Sequence, residues 1–205
     1  MIKQNFLITV LILTFGFQFI HAQTTVSINI KSQGKKYDKY WERCVGAGRA
    51  NEGLRAGWLE QLQTVREQCG FQYVRFHGLF HDDMFVCFPK ANGQVVYNWQ
   101  YIDELFDRIL AIGVKPFVEL GFFPKEIAAE NSKTQFWWKA NISVDSNNFG
   151  KWHDLVKTFT QHCIDRYGIG EVMTWYFEVW NEPNLNPGFL DGTKSDYFRL
   201  YKEAV

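Results

Sequence analysis

Apolar positions along residues 56–205 follow two rhythms that take turns. Trp58, Leu62, Val65 and Cys69 recur at helical spacing, and Gly70 closes that helix. Phe71–His77 then reads as a strand, rich in aromatic and β-branched residues. Asn98 can cap a second helix whose buried face is Ile102, Leu105, Phe106, Ile109 and Leu110, closed by Gly113. Val114–Gly121 follows as a strand. Trp152, Leu155, Val156, Phe159 and Cys163 form a third helical face, closed by Gly168, and Val172–Val179 follows as a strand. Leu200 and Tyr201 fit a fourth helix. Ahead of this series, Val26–Ile30 alternates as a short strand, and a first strand of the series falls near Trp41–Val45.

A helix that ends at glycine and feeds a strand, three times over, predicts an α/β fold with a parallel sheet. Polar residues gather where the strands end: Arg49, His77, Glu119 and Glu182. In a (β/α)8 TIM barrel the loops after the strands build the active site. Residues 23–205 then carry about the first four βα units, the N-terminal half of a barrel that typically needs ~250 residues. The stretches Gly78–Tyr97 and Phe122–Gly150 become long loops on the active face. An open doubly wound sheet is the alternative that four strands leave standing.

Charge and composition narrow the chemistry. The 205 residues hold 22 basic and 22 acidic side chains, so no electrostatic argument favours nucleic acid or an anionic membrane. The aromatic share of 18%, with 8 Trp, fits either a core rich in rings or stacking on sugars. Residues 1–22 have the form of a signal peptide: Lys3, an apolar run from Phe6 to Ile20, and Ala22 before the cut. Export is expected, to the periplasm or outside the cell, with no membrane span afterwards. Cys44, Cys69, Cys87 and Cys163 form no CxxC pair; Cys69 and Cys163 fall on apolar helix faces.

The segment Trp175–Leu185, WYFEVWNEPNL, carries the sharpest chemical signal: an apolar strand that runs out into Asn-Glu-Pro. Glycoside hydrolysis needs a carboxylate as proton donor. Pro183 fixes the backbone after Glu182 and pushes Glu182 away from helical geometry, so an extended strand end is expected. Trp175, Phe177 and Trp180 would wall and desolvate the acid. Asn181 can donate to a sugar hydroxyl.

The segment FEVWNEPNL resembles the acid/base motif of glycoside hydrolase family 39, the β-xylosidase and α-L-iduronidase family, whose barrel carries Asn-Glu on its fourth strand. CVGAGRA at Cys44–Ala50, YVRFHGLFHDDM at Tyr73–Met84 and KPFVELGFFP at Lys115–Pro124 resemble its first three strands with their loops. The resemblance implies a retaining O-glycosyl hydrolase. Glu182 is then the general acid/base, Asn181 holds the substrate and His77 contacts the sugar. Arg49, where iduronidase places a histidine, favours the β-xylosidase members. With Trp180 it completes the substrate-contact candidates. The family's nucleophile is a second Glu on the seventh strand, and no residue up to Val205 takes that role. The implied partner is a carbohydrate (a xyloside, another pentoside or a uronide), and no cofactor is implied. A sugar-binding or decayed half-barrel without a nucleophile is the competing reading.

Other constellations have plainer accounts. Strand alternation puts Glu178 on the face of Glu182, but a retaining pair must flank the glycosidic bond ~5–5.5 Å apart. Glu178 is therefore read as a partner for a cation, with Arg75 as the candidate. Arg75 could equally orient Glu182 or neutralise a buried acid. His77, His81, Asp82 and Asp83 include metal-ligand types, but Gly78 breaks any helix that would present them together, and no metal is expected. Gly46-Ala47-Gly48 lacks the third glycine of a phosphate loop, because Asn51 stands there. Trp137 and Trp138 are a sugar platform or loop anchors, and Asn141-Ile142-Ser143 matches a glycosylation sequon.

Overall fold

A computed structural model describes residues 24–205. The signal-peptide segment, residues 1–22, lies outside the described residues. The chain divides after Asp38 into two compact units. In the described part of the first, residues 24–38, the expected strand at Val26–Ile30 does not form. Val26, Ile28 and Ile30 are exposed, and the local structure is a turn in which Ser32 N–H donates to the Asn29 carbonyl at 3.1 Å. An alternating pattern makes a strand only where a neighbour supplies the ladder, and none pairs with it among the described residues.

The second unit, Lys39–Val205, holds the repeating series. A 3₁₀ turn at Tyr40–Glu42 precedes β1 (Cys44–Arg49), so the first strand begins later than its sequence pattern indicates. Next come α1 (Ala56–Cys69), β2 (Tyr73–His77), a hairpin of β3 (Cys87–Pro89) and β4 (Val95–Tyr97), α2 (Gln100–Ala111) and β5 (Lys115–Leu120). A small hairpin, β6 (Thr134–Gln135) and β7 (Ala140–Asn141), precedes α3 (Phe149–Tyr167), α4 (Ile169–Val172), β8 (Tyr176–Val179) and α5 (Lys194–Ala204). Val172, expected in the strand, instead ends the short α4 and is buried there.

The helix ends follow the glycines. Gly70 adopts φ 79° and its N–H caps Arg66, a left-handed closure that a side chain would resist. Asn98 acts one residue earlier than a formal cap: its Oδ1 accepts from Gln100 N–H at 3.2 Å. At α5, Thr193 and Asp196 form a capping box in which each side chain bonds the other's backbone N–H. Thr193→Ala is expected to cost about 1 kcal/mol, read as a lower urea midpoint of the whole protein at unchanged slope.

β1, β2, β5 and β8 form one parallel sheet in that order. Side chains alternate across it. On one face Val74, Phe76 and Val118 are buried with Ile102, Leu105, Phe106 and Ile109 of α2 and Leu155, Val156 and Phe159 of α3. Each such side chain contributes about 1.5–3 kcal/mol by burial. Cys163 joins this core, whereas Cys69, expected on the apolar face of α1, is exposed in its last turn; all four cysteines are free. The opposite face carries Tyr73, Phe117 and Tyr176, with Tyr73 and Phe117 centred 4.8 and 5.5 Å from Tyr176. Above that aromatic layer stand Arg75, Glu119, Glu178 and His77.

Candidate active site

The polar layer is organised by Arg75. Its Nε donates to Glu178 Oε2 at 2.6 Å and its Nη2 to Glu178 Oε1 at 3.0 Å. Nη2 also lies 2.7 Å from Asn181 Oδ1 and 2.8 Å from Glu119 Oε2. Of the roles open to Arg75 in the sequence, the structure shows neutralisation of Glu119 and pairing with Glu178, and among the described residues Arg75 makes no hydrogen bond or ion pair to Glu182. Glu178 is thereby occupied as an ion-pair partner. Glu119 is fully buried; its Oε2 meets His77 Nδ1 at 2.6 Å, and its Oε1 has no hydrogen-bond partner among the described residues. Burial pushes the Glu119 carboxyl above the ordinary glutamate range, while His77 and Arg75 pull it back.

Beyond β8 the alternation breaks. Trp180 N–H still bonds the Leu120 carbonyl at 3.2 Å, but Trp180 has φ 71° and Glu182 φ 44°. Pro183 does disfavour the right-handed helical region for Glu182, as expected, but the chain answers with left-handed geometry rather than an extended strand end. Two bulky residues at positive φ cost of order 1–3 kcal/mol each, a cost concentrated where the candidate acid sits. The result turns Asn181 inward and buries it, and leaves the Glu182 side chain exposed and without a hydrogen bond or ion pair among the described residues.

Trp180 needs correction as a substrate contact. It is 1% exposed, its Nε1 donates to the Phe189 carbonyl at 2.9 Å, and its ring packs on Phe123 at 4.3 Å. Trp175 is buried against Phe106 and Tyr167, each 5.4 Å away, and Phe177 lies on the helix-facing side of β8. None of the three walls Glu182. The rings near the site come from the β6–β7 loop, which the apolar periodicities pass over. Phe136 stacks on Trp138 at 4.9 Å and lies 6.2 Å from the His77 ring. The only sequence signal for that wall is the aromatic triplet Phe136-Trp137-Trp138.

Arg49 ends β1 opposite His77, as the strand-end clustering anticipates. Its guanidinium is largely committed to protein: it pairs with Asp83, approaches Glu52 at 3.7 Å and sits 5.2 Å from both the Trp137 and Trp138 rings. It anchors that loop, and Trp137 remains exposed. His77 and His81 have separate partners, Glu119 for the first and Asp83 with the Lys139 carbonyl for the second. Among the described residues no three histidine, cysteine or acidic side chains gather as metal ligands.

One exposed carboxylate at the end of a parallel strand, beside a buried amide held by an arginine, suits acid/base work at a polar bond. The model of glycosyl hydrolases family 39 matches residues 24–205. The chain belongs to that family. It is 43% identical over 180 residues to a beta-xylosidase of Caldicellulosiruptor saccharolyticus, covering 88% of this chain and 36% of that one. It is 28% identical over 132 residues to the mouse alpha-L-iduronidase, covering 62% and 18%. Among solved structures, the monomeric beta-xylosidase of Caulobacter crescentus superposes with a TM-score of 0.77 at 39% identity, over 82% of this chain and 33% of that one. The α/β fold is therefore that of the family 39 enzymes, and this chain spans about a third of the length of the curated beta-xylosidases it matches.

Proposed function

We propose that the whole protein is a retaining glycosidase of the β-xylosidase type and that this chain supplies its acid/base and part of its sugar-binding wall. The observation that carries the reading is Glu182: an exposed carboxylate, next in sequence to an Asn181 amide whose oxygen is engaged by Arg75 and whose NH2 is left to donate. In this reading Glu182 protonates the leaving-group oxygen, then takes the proton from the attacking water. The nucleophile is a second glutamate on a later strand. Glu178 does not fill that role, because Arg75 holds it within the polar layer.

The same reading makes the sheet the first four βα units of a (β/α)8 barrel. β1 and β8 lie at the sheet edges, and Tyr176, on the face away from the helices, is exposed. Parallel sheets are ordinarily covered on both faces, and further strands that curl the sheet shut would cover this one. The beta-xylosidase relatives favour β-xylosides as first substrates. Hydrolysis of β-xylosides by the whole protein, lowered on Glu182→Ala most strongly for natural xylosides, supports the assignment; an unchanged rate on natural xylosides overturns it.

Residues 1–22 form an export signal in this proposal, and among the described residues no helix is long and apolar enough to cross a membrane. Mass spectrometry of the protein from its native host should find an N-terminus close to Gln23. An intact Met1 would rule export by this signal out.

A further inference from the structure

Glu119 is a buried group for which the acid/base steps have no use. Its carboxylate is fully buried, and Oε2 lies 2.6 Å from His77 Nδ1 and 2.8 Å from Arg75 Nη2. A guanidinium can only donate, so Oε2 is already the acceptor toward Arg75. The short contact to His77 is satisfied when Nδ1 carries the hydrogen. Nε2 then holds a lone pair, and it has no partner among the described residues although the side chain is 26% exposed. We infer that Glu119 is a positioning residue that fixes His77 in its Nδ1–H tautomer, so that His77 presents a hydrogen-bond acceptor to a hydroxyl of the bound sugar.

Asn181 is the complement. Its oxygen is taken by Arg75, which leaves its amide as a donor. The site therefore offers a donor at Asn181 and an acceptor at His77, both set by the Arg75–Glu119 pair. A sugar hydroxyl facing His77 must donate, so replacing it by a methoxy group removes the bond while keeping the oxygen. A deoxy sugar loses it as well. The identity of the ligand rests on the glycosidase reading; the tautomer does not.

The test is ¹⁵N NMR of the imidazoles in the whole protein at about pH 8, where an ordinary imidazole is neutral. His77 is expected to show Nδ1 protonated and Nε2 bare. An Nε2–H tautomer, or a ring protonated at both nitrogens, overturns the proposal, and the wild-type spectrum alone decides this. Glu119→Gln keeps a carbonyl acceptor and should keep the tautomer, with kcat/KM within about threefold. Glu119→Leu should release the ring to the Nε2–H form and lower kcat/KM roughly tenfold, mainly through KM. Should the protein show the Nδ1–H ring but cleave no xyloside, the positioning role stands and the glycosidase reading fails.

Discussion

Glu182→Ala is expected to lower kcat of the whole protein on xylo-oligosaccharides by about 10²–10⁴, the usual contribution of a positioned general acid. That is about 3–5 kcal/mol of transition-state stabilisation. The loss should depend on the leaving group. A natural glycoside departs as a sugar alkoxide and needs the proton, whereas an activated aryl glycoside leaves almost unaided, so its bond-breaking step should be nearly intact. The second step, in which Glu182 deprotonates water, is slowed for both, so the aryl substrate should show a burst and then a slow steady state. Stability gives the control. The Glu182 side chain is exposed and makes no hydrogen bond or ion pair among the described residues, so removing it should shift the unfolding free energy by less than about 0.5 kcal/mol. A kcat/KM that falls equally for both substrates, or a variant that melts early, would take the acid/base role from Glu182.

The sheet was legible because each strand sits between strong punctuation. Gly70, Gly113 and Gly168 all take positive φ where the helices stop, and the apolar faces of α2 and α3 are the buried ones. The need of Glu178 for a cation was also legible, with Arg75 as the candidate, and the register of β2, β5 and β8 brings the two together. Strand parity stops informing at Val179. The left-handed residues Trp180 and Glu182 send the indole into the core and the carboxylate into the open, and no propensity places a tryptophan or a glutamate there. An expectation that carried the strand pattern past Val179 therefore misplaced Trp180, which is buried. Glu119 showed only as a polar strand end. That it is the buried anchor of both His77 and Arg75 depends on two strands, β2 and β5, meeting in register, which a single strand's pattern does not reveal. The aromatic wall from Phe136 and Trp138 depends on how a long loop folds back, where periodicity is silent.

Arg75→Met should cause the largest loss of stability of any single change in the polar layer, about 3–5 kcal/mol near neutral pH. Methionine fills much of the volume, so the cost comes from charge. Glu178 is about a third exposed and can turn to water, but Glu119 is fully buried and would be left with His77 as its one partner. The pH dependence identifies that cause. Burial already raises the Glu119 carboxyl above its ordinary 4.5, and Arg75 is one of the groups that lower it. Without Arg75 it rises further. A group whose folded pKa lies above its unfolded value contributes its stability at low pH and loses it as pH rises through the folded pKa. The deficit of the variant should accordingly be greatest at pH 7–8 and shrink as the pH is brought toward 5, where the orphaned carboxyl takes up a proton. Urea midpoints at the two pH values measure this directly. Adding Glu119→Gln to Arg75→Met should recover part of the loss at pH 7.5 and little at pH 5, a coupling that a double-mutant cycle reads out. A deficit that does not change with pH would place the role of Arg75 in packing or in its hold on Asn181, and would remove Glu119 as the charge it serves.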